Sequence, residues 1–319
     1  MLYILLFAIL LGIELLYFKV ADRFNIIDKP NERSSHSRIT LRGGGIIFYF
    51  GALLYFIVNG GGFPFFMLGL TMITLVSFID DIHSVSRRVR LVIQFTAMAL
   101  LFYQWGLFGG TPWWYLVIAL ICCTGIINAY NFMDGINGIT GGYSLVLLGS
   151  LFYINHSVIH FTDELLIVVM ILAVLVFNIF NFRTRAKCFA GDVGAVAIAF
   201  VVLFLLGQLI LLTKDFSYII LLVVYGVDSV LTIVHRLLLK ENIFDAHRKH
   251  VYQILANELG WKHVYVSLVY MLFQLSITIG FLVVEDSKKW LYLIMTTMLL
   301  SIIYILIIDK YFKLHKKNG

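Results

Sequence analysis

Charge is scarce in this chain. Only 13% of its 319 residues are Asp, Glu, Lys or Arg, 61% are hydrophobic, and the mean hydropathy is +0.94. Soluble domains average about 45–50% apolar and about 25% charged residues, so a water-soluble globular domain is excluded and the relevant solvent is lipid. Cysteine is also scarce. Cys122 and Cys123 are adjacent in an apolar run and Cys188 stands alone, which gives neither a disulfide framework nor a zinc-ligand spacing. They read as small hydrophobes in packed helices. With three prolines, the apolar runs are expected to form mostly unbroken helices. No basic stripe interleaved with aromatics is present, so nucleic acid is not an expected partner. Residues 1–20 are apolar but lack a basic leading region and a small-residue cleavage site. They read as a retained first span rather than a signal peptide.

Long apolar runs fill the space left by these absences. A crossing helix needs about 20 apolar residues. Runs near 2–20, 43–59, 64–79, 91–108, 113–129, 139–157, 164–181, 193–213, 217–238, 264–284 and 289–308 predict eleven spans. The expected fold is an all-α polytopic membrane protein of about eleven transmembrane helices, one integral membrane domain over 1–319. Trp105, Trp113, Trp114, Trp261 and Trp290 near span ends suit interfacial anchoring. Of the 24 Lys and Arg, all but Lys214, Lys288 and Lys289 fall on one side of this topology. The positive-inside rule makes that side cytoplasmic. The N-terminus is then outside and the C-terminus inside, and the long loops 21–42 and 239–263 are cytoplasmic. No inverted pair of Gly/Pro-broken spans, a mark of secondary transporters, is visible.

Five polar clusters meet on that face. The first loop, Arg33-Ser-Ser-His36 through Arg42-Gly-Gly-Gly45, joins cations to a triple glycine at a helix mouth, where backbone N–H groups can meet phosphate oxygens; otherwise it is an ordinary basic loop. Asp80-Asp81 ends the third span, as a general base and Mg²⁺ contact or as a solvated acid pair. Arg87, Arg88 and Arg90 follow and can neutralise it or hold a lipid phosphate. Asn128, Asn131 and Asp134 recur every third residue and share a helix face. They can hydrogen-bond a ribose or base, or glue helices together. Gly135 then breaks the helix and Gly138 starts the next. Asp192, between Gly191 and Gly194, suits Mg²⁺ or an N-cap. His247, Arg248 and His250 can grip a diphosphate or rest on lipid headgroups. Asp228 and His235 lie in the ninth span, with no role assigned.

With these residues assembled, the chain resembles the polyprenyl-phosphate N-acetylhexosamine-1-phosphate transferases over nearly its whole length. Arg33 to Gly45, Asp80-Asp81, Asn128-x-x-Asn131-x-x-Asp134-Gly135, Phe189-x-Gly191-Asp192 and Ala246-His247-Arg248-x-His250 stand in that family's order. The resemblance implies transfer of a sugar 1-phosphate from a UDP-sugar to undecaprenyl phosphate, releasing UMP. The cofactor implied is Mg²⁺, with Mn²⁺ able to stand in. It implies a catalytic set of Asp80, Asp81, Asp134, His247, Arg248 and His250. It implies a substrate-binding set of Arg33, His36, Arg42, Asn128, Asn131 and Phe189, the Phe189 ring lying against uracil. It implies metal ligation by Asp192 and Asp80, a bacterial inner-membrane location with a cytoplasmic-face site, contact with membrane lipid, and, by resemblance alone, a homodimer. Asn137 stands where many relatives have Asp, Val251-Tyr252-Gln253 replaces a His-rich end, and Arg183-Thr184-Arg185 replaces a Pro-bearing loop. These departures point to the branch that starts O-antigen or capsule units. The competing reading is a transporter or flippase of an anionic lipid or sugar phosphate. It calls for polar residues at mid-membrane and on both faces, whereas the outer loops here are minimal.

Overall fold

A computed structural model describes residues 1–28, 39–242 and 248–316. Among them run twelve α-helices: α1 (Leu2–Arg23), α2 (Ile47–Val58), α3 (Pro64–Ile82), α4 (Arg87–Gln104), α5 (Trp113–Met133), α6 (Ile139–Tyr153), α7 (Glu164–Asn181), α8 (Gly191–Thr213), α9 (Val223–Leu238), the single turn α10 (Val251–Gln253), α11 (His263–Val283) and α12 (Lys289–Lys316). Local chemistry sets their starts. Pro64 opens α3, its fixed φ suiting a first turn. Ser86 and Asp163 cap α4 and α7 by accepting from the N–H of Val89 and Leu165. Gly138 supplies the left-handed φ of 85° before α6.

Each of the eleven expected windows holds a helix. Eight helical stretches are long and apolar enough to cross a membrane: Leu2–Arg23, Pro64–Ile82, Trp113–Met133, Glu164–Asn181, Gly191–Thr213, Phe216–Leu238, His263–Val283 and Asp286–Lys310. The other three expected spans differ for physical reasons. The helix in 43–59 runs only Gly44–Val58. The one in 91–108 stops at Gln104 and carries Arg87, Arg88 and Arg90 in its first turn. The one in 139–157 changes to a π-helix over Ile154–Val158. The all-α expectation also misses a hairpin, β1 (Ile27–Asp28) against β2 (Thr40–Leu41), with Ile27 opposite Leu41.

The chain is organised around α8, apolar on every face and buried from Val193 through Leu206. Helices α2, α3, α5 and α6 pack on it, α4 on α3, α7 on α1, α2 and α6, and α11 on α6. The buried residues of α1 (Leu6, Leu10, Glu14, Tyr17 and Ala21) form one stripe at helical spacing, flanked by half-buried Phe7, Leu11, Ile13 and Phe18, while Leu2, Ile4, Leu5, Ile9, Leu15, Leu16 and Val20 are exposed. Lipid tails are as apolar as leucine, so close packing and hydrogen bonds, rather than burial alone, fix such neighbours. A Cβ on Gly45 would strike Gly194 of α8, and one on Gly51 of α2 would come within 2.9 Å of Ala173 in α7. Glycine at both positions lets backbones touch.

Candidate active site

The site begins as a backbone clasp between two segments far apart in sequence. The N–H of Phe189 donates to Leu41 O at 2.8 Å, Gly44 N–H to Phe189 O at 2.9 Å and Gly45 N–H to Ala190 O at 3.1 Å. Gly43 takes φ 80°, and the Tyr17 hydroxyl donates to Arg42 O at 2.6 Å. The sequence left the triple glycine two readings, N–H groups turned to phosphate or the end of an ordinary basic loop. Instead those of Gly44 and Gly45 are spent on carbonyls ahead of α8, and the glycines serve close approach.

The clasp brings together acids from α3 and α8. Asp81 accepts from the N–H groups of Asp192 and Val193, each at 3.0 Å, and from Arg42 Nε at 2.7 Å. It therefore caps α8 from another helix and leaves no oxygen without a donor. The cap expected of Asp192 comes from Asp81 instead. This is possible because Gly191, at φ 71°, has no Cβ; one would sit 2.6 Å from Asp81 Oδ2. Asp80 accepts from Val85 N–H and from Arg90 Nη1, both at 2.6 Å. Arg90 Nη1 also meets Asp192 Oδ2 at 3.2 Å, and Arg42 Nη2 meets Asp192 Oδ1 at 3.5 Å. Arg90 Nη1 thus bridges the carboxyls of Asp80 and Asp192. Of the three arginines expected near the acid pair, Arg90 meets Asp80, while Asp81 is met by Arg42 of the first loop.

Asn128 and Asn131 line a small cleft of about 10 Å³ with Ser77, Arg90, Gln94 and Asp192. That is room for about one water molecule. The Asn128 amide donates to Gln94 Oε1 at 3.0 Å and Thr124 O at 2.8 Å, tying α5 to α4. Its expected substrate contact thus rests on the remaining oxygen. Asp134 ends α5 and lies within the fields of both Asp81 and Arg42. Burial first, and then Asp81, push its carboxyl up to about 6, against the opposing pull of Thr140 and Arg42. Asn137 donates to the carbonyls of Arg183 at 3.0 Å and Thr184 at 3.3 Å. A carboxylate cannot donate, so the amide here has a local structural cause.

Beyond the Asp134–Gly135 turn lies the last segment. Tyr252, fully buried, donates to Phe132 O at 2.9 Å and fills the space a Cβ on Gly135 would take. His250 is also buried, its Nδ1 3.2 Å from Asp228 Oδ1 in α9. Arg248 is half-buried, and Lys249 pairs with Glu241, which also meets Arg236 Nε at 3.2 Å. Phe189 is half-buried beside Asp192 in sequence, held by its backbone. Arg33, His36 and His247, expected in the site, lie outside the described residues.

The structure therefore unites Asp80, Asp81, Asp192, Arg42, Asn131 and Asp134, and links them through Tyr252 to His250. Sequence reasoning missed Tyr17, Gln94, Thr140 and Tyr252. Only Tyr252 left a signal, as the break in the His-rich pattern. Among the described residues no group of three His, Cys, Asp or Glu is arranged to hold a metal. Asp80 and Asp192 nonetheless fit a divalent ion: their carboxyls already share one cationic atom, Arg90 Nη1, and Mg²⁺ takes one or two carboxylates with substrate phosphates.

Comparison with known proteins follows from this geometry. Residues 63–210, which carry Asp80, Asp81, Asn131, Asp134 and Asp192, match glycosyl transferase family 4. A Bacillus subtilis protein named as a probable undecaprenyl-phosphate N-acetylglucosaminyl 1-phosphate transferase is 27% identical over 91% of this chain and 84% of its own length. An undecaprenyl-phosphate alpha-N-acetylglucosaminyl 1-phosphate transferase of Thermotoga maritima is 26% identical over 80% of this chain and 83% of its own. One of the same name from Yersinia pestis is 29% identical over 60% and 57%.

Proposed function

We propose that this chain, whose residues 63–210 match glycosyl transferase family 4, is a phosphoglycosyltransferase that transfers a sugar 1-phosphate from a UDP-sugar to undecaprenyl phosphate, releasing UMP. The observation that carries the reading is the meeting of Asp80, Asp81 and Asp192 with Arg42 and Arg90 at the ends of α3 and α8. A reaction between a lipid and a nucleotide needs a charged site where spans end, and phosphoryl transfer is mostly positioning and charge neutralisation.

In this reading an oxygen of the lipid phosphate attacks the β-phosphorus. The bond from that phosphorus to the bridging oxygen breaks, and UMP leaves with the electron pair. The lipid phosphate is an anion at neutral pH and needs no strong base. Arg42 and Arg90, each about one-third exposed, bind the diphosphate oxygens. Asp81 holds the start of α8 and so aims Asp192. Asn131 and Asp134 orient the nucleotide from the end of α5, and the Phe189 ring lies against the base. Asp192 and Asp80 are the residues that would hold Mg²⁺, which supplies charge neutralisation of the diphosphate. The sugar is an N-acetylhexosamine or a deoxy-amino sugar that begins a lipid-linked glycan such as O-antigen or capsule. The site faces the cytoplasm of a bacterial plasma membrane, because the basic loops lie on its side.

The test is a transfer assay with purified protein, radiolabelled UDP-N-acetylhexosamines and undecaprenyl phosphate. Expected is UMP release that requires both the lipid and Mg²⁺ and stops with chelator. Silence across a sugar panel from folded protein overturns the reaction. Full Mg²⁺-dependent turnover by Asp192→Ala overturns the metal role.

A further inference from the structure

Asp228 lies in α9 and has so far entered only as the partner of His250, yet it is the most heavily bonded acid among the described residues of the second half of the chain. Its Oδ1 receives the N–H of Val251 at 3.1 Å and the Thr232 hydroxyl at 3.3 Å, and lies 3.2 Å from His250 Nδ1. Its Oδ2 receives the Tyr270 hydroxyl of α11 at 2.5 Å. Thr232 continues the chain to Tyr304 of α12 at 3.0 Å. The carboxylate is 4% exposed and His250 2%. Both oxygens accept, so the proton shared with His250 belongs to the ring.

We propose that Asp228 is a positioning residue. It holds His250 in the Nδ1–H form and, with Val251, pins the start of α10 so that Arg248 to Tyr252 sit against the Asp134–Gly135 turn. Three observations converge on this assignment. An ionised carboxylate only accepts hydrogen bonds, so its contact with Nδ1 fixes that nitrogen as one that carries hydrogen. Tyr252, two residues on, is fixed to Phe132 O at 2.9 Å and packs over Gly135. The segment is thus anchored at both ends, by α9 and by α5. The carboxylate also gathers donors from α9, α10 and α11, so the orientation of His250 registers the packing of those helices. Among the described residues, Tyr270, Tyr252 and Tyr304 are titratable groups that face this pair.

The functional half of this inference rests on the transferase reading; the tautomer half does not. The experiment is ¹⁵N NMR of histidine-labelled full-length protein in nanodiscs, with His250 assigned by the loss of its signal in His250→Gln. Kinetics are measured in the same preparations. Wild type is expected to show His250 protonated on Nδ1. In Asp228→Asn the side-chain amide can donate to Nδ1, so the ring proton is expected to move to Nε2. The kcat for transfer should fall by about 100-fold, with little change in KM for the UDP-sugar. Tyr270→Phe removes one donor but keeps the carboxylate, and should retain the wild-type tautomer. A wild-type ring protonated on Nε2 overturns the proposal without any variant. An unmoved proton in folded Asp228→Asn, or a shift in Tyr270→Phe as large as in Asp228→Asn, overturns it as well. A moved proton with unchanged kcat overturns the positioning role. If wild type transfers nothing, the transferase reading falls while the spectra still decide what Asp228 holds.

Discussion

Asp81→Asn is nearly isosteric, yet it should open the start of α8. The carboxylate serves three donors: Asp192 N–H, Val193 N–H and Arg42 Nε. An asparagine keeps one acceptor oxygen and turns an N–H₂ group toward donors that need an acceptor. Hydrogen bonds to charged groups contribute about 1.5–3 kcal/mol each. The Arg42 share is discounted because its side chain is one-third exposed and keeps Asp192 at 3.5 Å. The loss is then about 2–4 kcal/mol, felt locally as opening of the clasp. Cys188 reports that opening. It is fully buried, bridges Leu41 and sits just before α8, and burial, then Glu14, pushes its thiol well above the ordinary range. It therefore reacts only from an opened state. In a Cys122→Ser/Cys123→Ser background it is the one remaining thiol. Maleimide labelling followed by mass spectrometry should quicken about 30- to 700-fold in Asp81→Asn, at tenfold per 1.4 kcal/mol. Asp80→Asn, whose partners are Val85 and Arg90, should change it far less. An unchanged labelling rate in Asp81→Asn, or equal acceleration in the two variants, refutes the capping role.

Three further outcomes follow from the same contacts. Asn137→Asp sets a carboxylate against the carbonyls of Arg183 and Thr184 and should cost about 1–3 kcal/mol, read as a lower melting midpoint in detergent at pH 8. Asp134 binds its proton more tightly folded (pKa about 6) than at its ordinary 3.8, so it weakens the fold as pH rises from about 4 to 6, by at most about 3 kcal/mol. Asp134→Asn should therefore melt higher than wild type at pH 7.5, and the gap should vanish near pH 4. Gly191→Ala forces a side chain into φ 71° and against Asp81. It should lose transfer at least tenfold and speed Cys188 labelling; wild-type values for both would refute the close-approach argument.

The helices were legible because lipid demands long apolar runs, and each expected window holds one. The places that failed share a cause. In 91–108 the arginines belong to the helix rather than to the loop before it, since Ser86 caps it and Arg90 turns to Asp80. Sequence places Arg87, Arg88 and Arg90 in one basic run; only packing selects the one that meets the acids. The cap of α8 was illegible for a similar reason. The pattern Gly191-Asp192 reads as a helix start with its own acid, but the capping acid comes from Asp81, 111 positions earlier. The role of the triple glycine was illegible too, because the carbonyls that take the N–H groups of Gly44 and Gly45 lie at Phe189 and Ala190, far along the sequence. Tyr252 left only the mark of an interrupted histidine pattern.

The same long-range hydrogen bonds bear on how any loss of activity is assigned. Apolar surfaces do not distinguish a neighbouring helix from lipid, so helix register in this chain depends on its few hydrogen-bonded polar groups. Two of them, Asp81 and Asp228, each gather donors from more than one segment. Asp81 joins the first loop to α8, and Asp228 joins α9 and α11 to the His250 segment. Tyr252 then joins that segment to the turn after α5, where Asp134 lies within the field of Asp81. The acids that define the fold are therefore also those that shape the site. A dead Asp81 or Asp228 variant is the expected result whether the carboxylate touches substrate or only holds what does. Thiol labelling and the histidine tautomer separate the two, because each reads the held group directly and neither requires turnover.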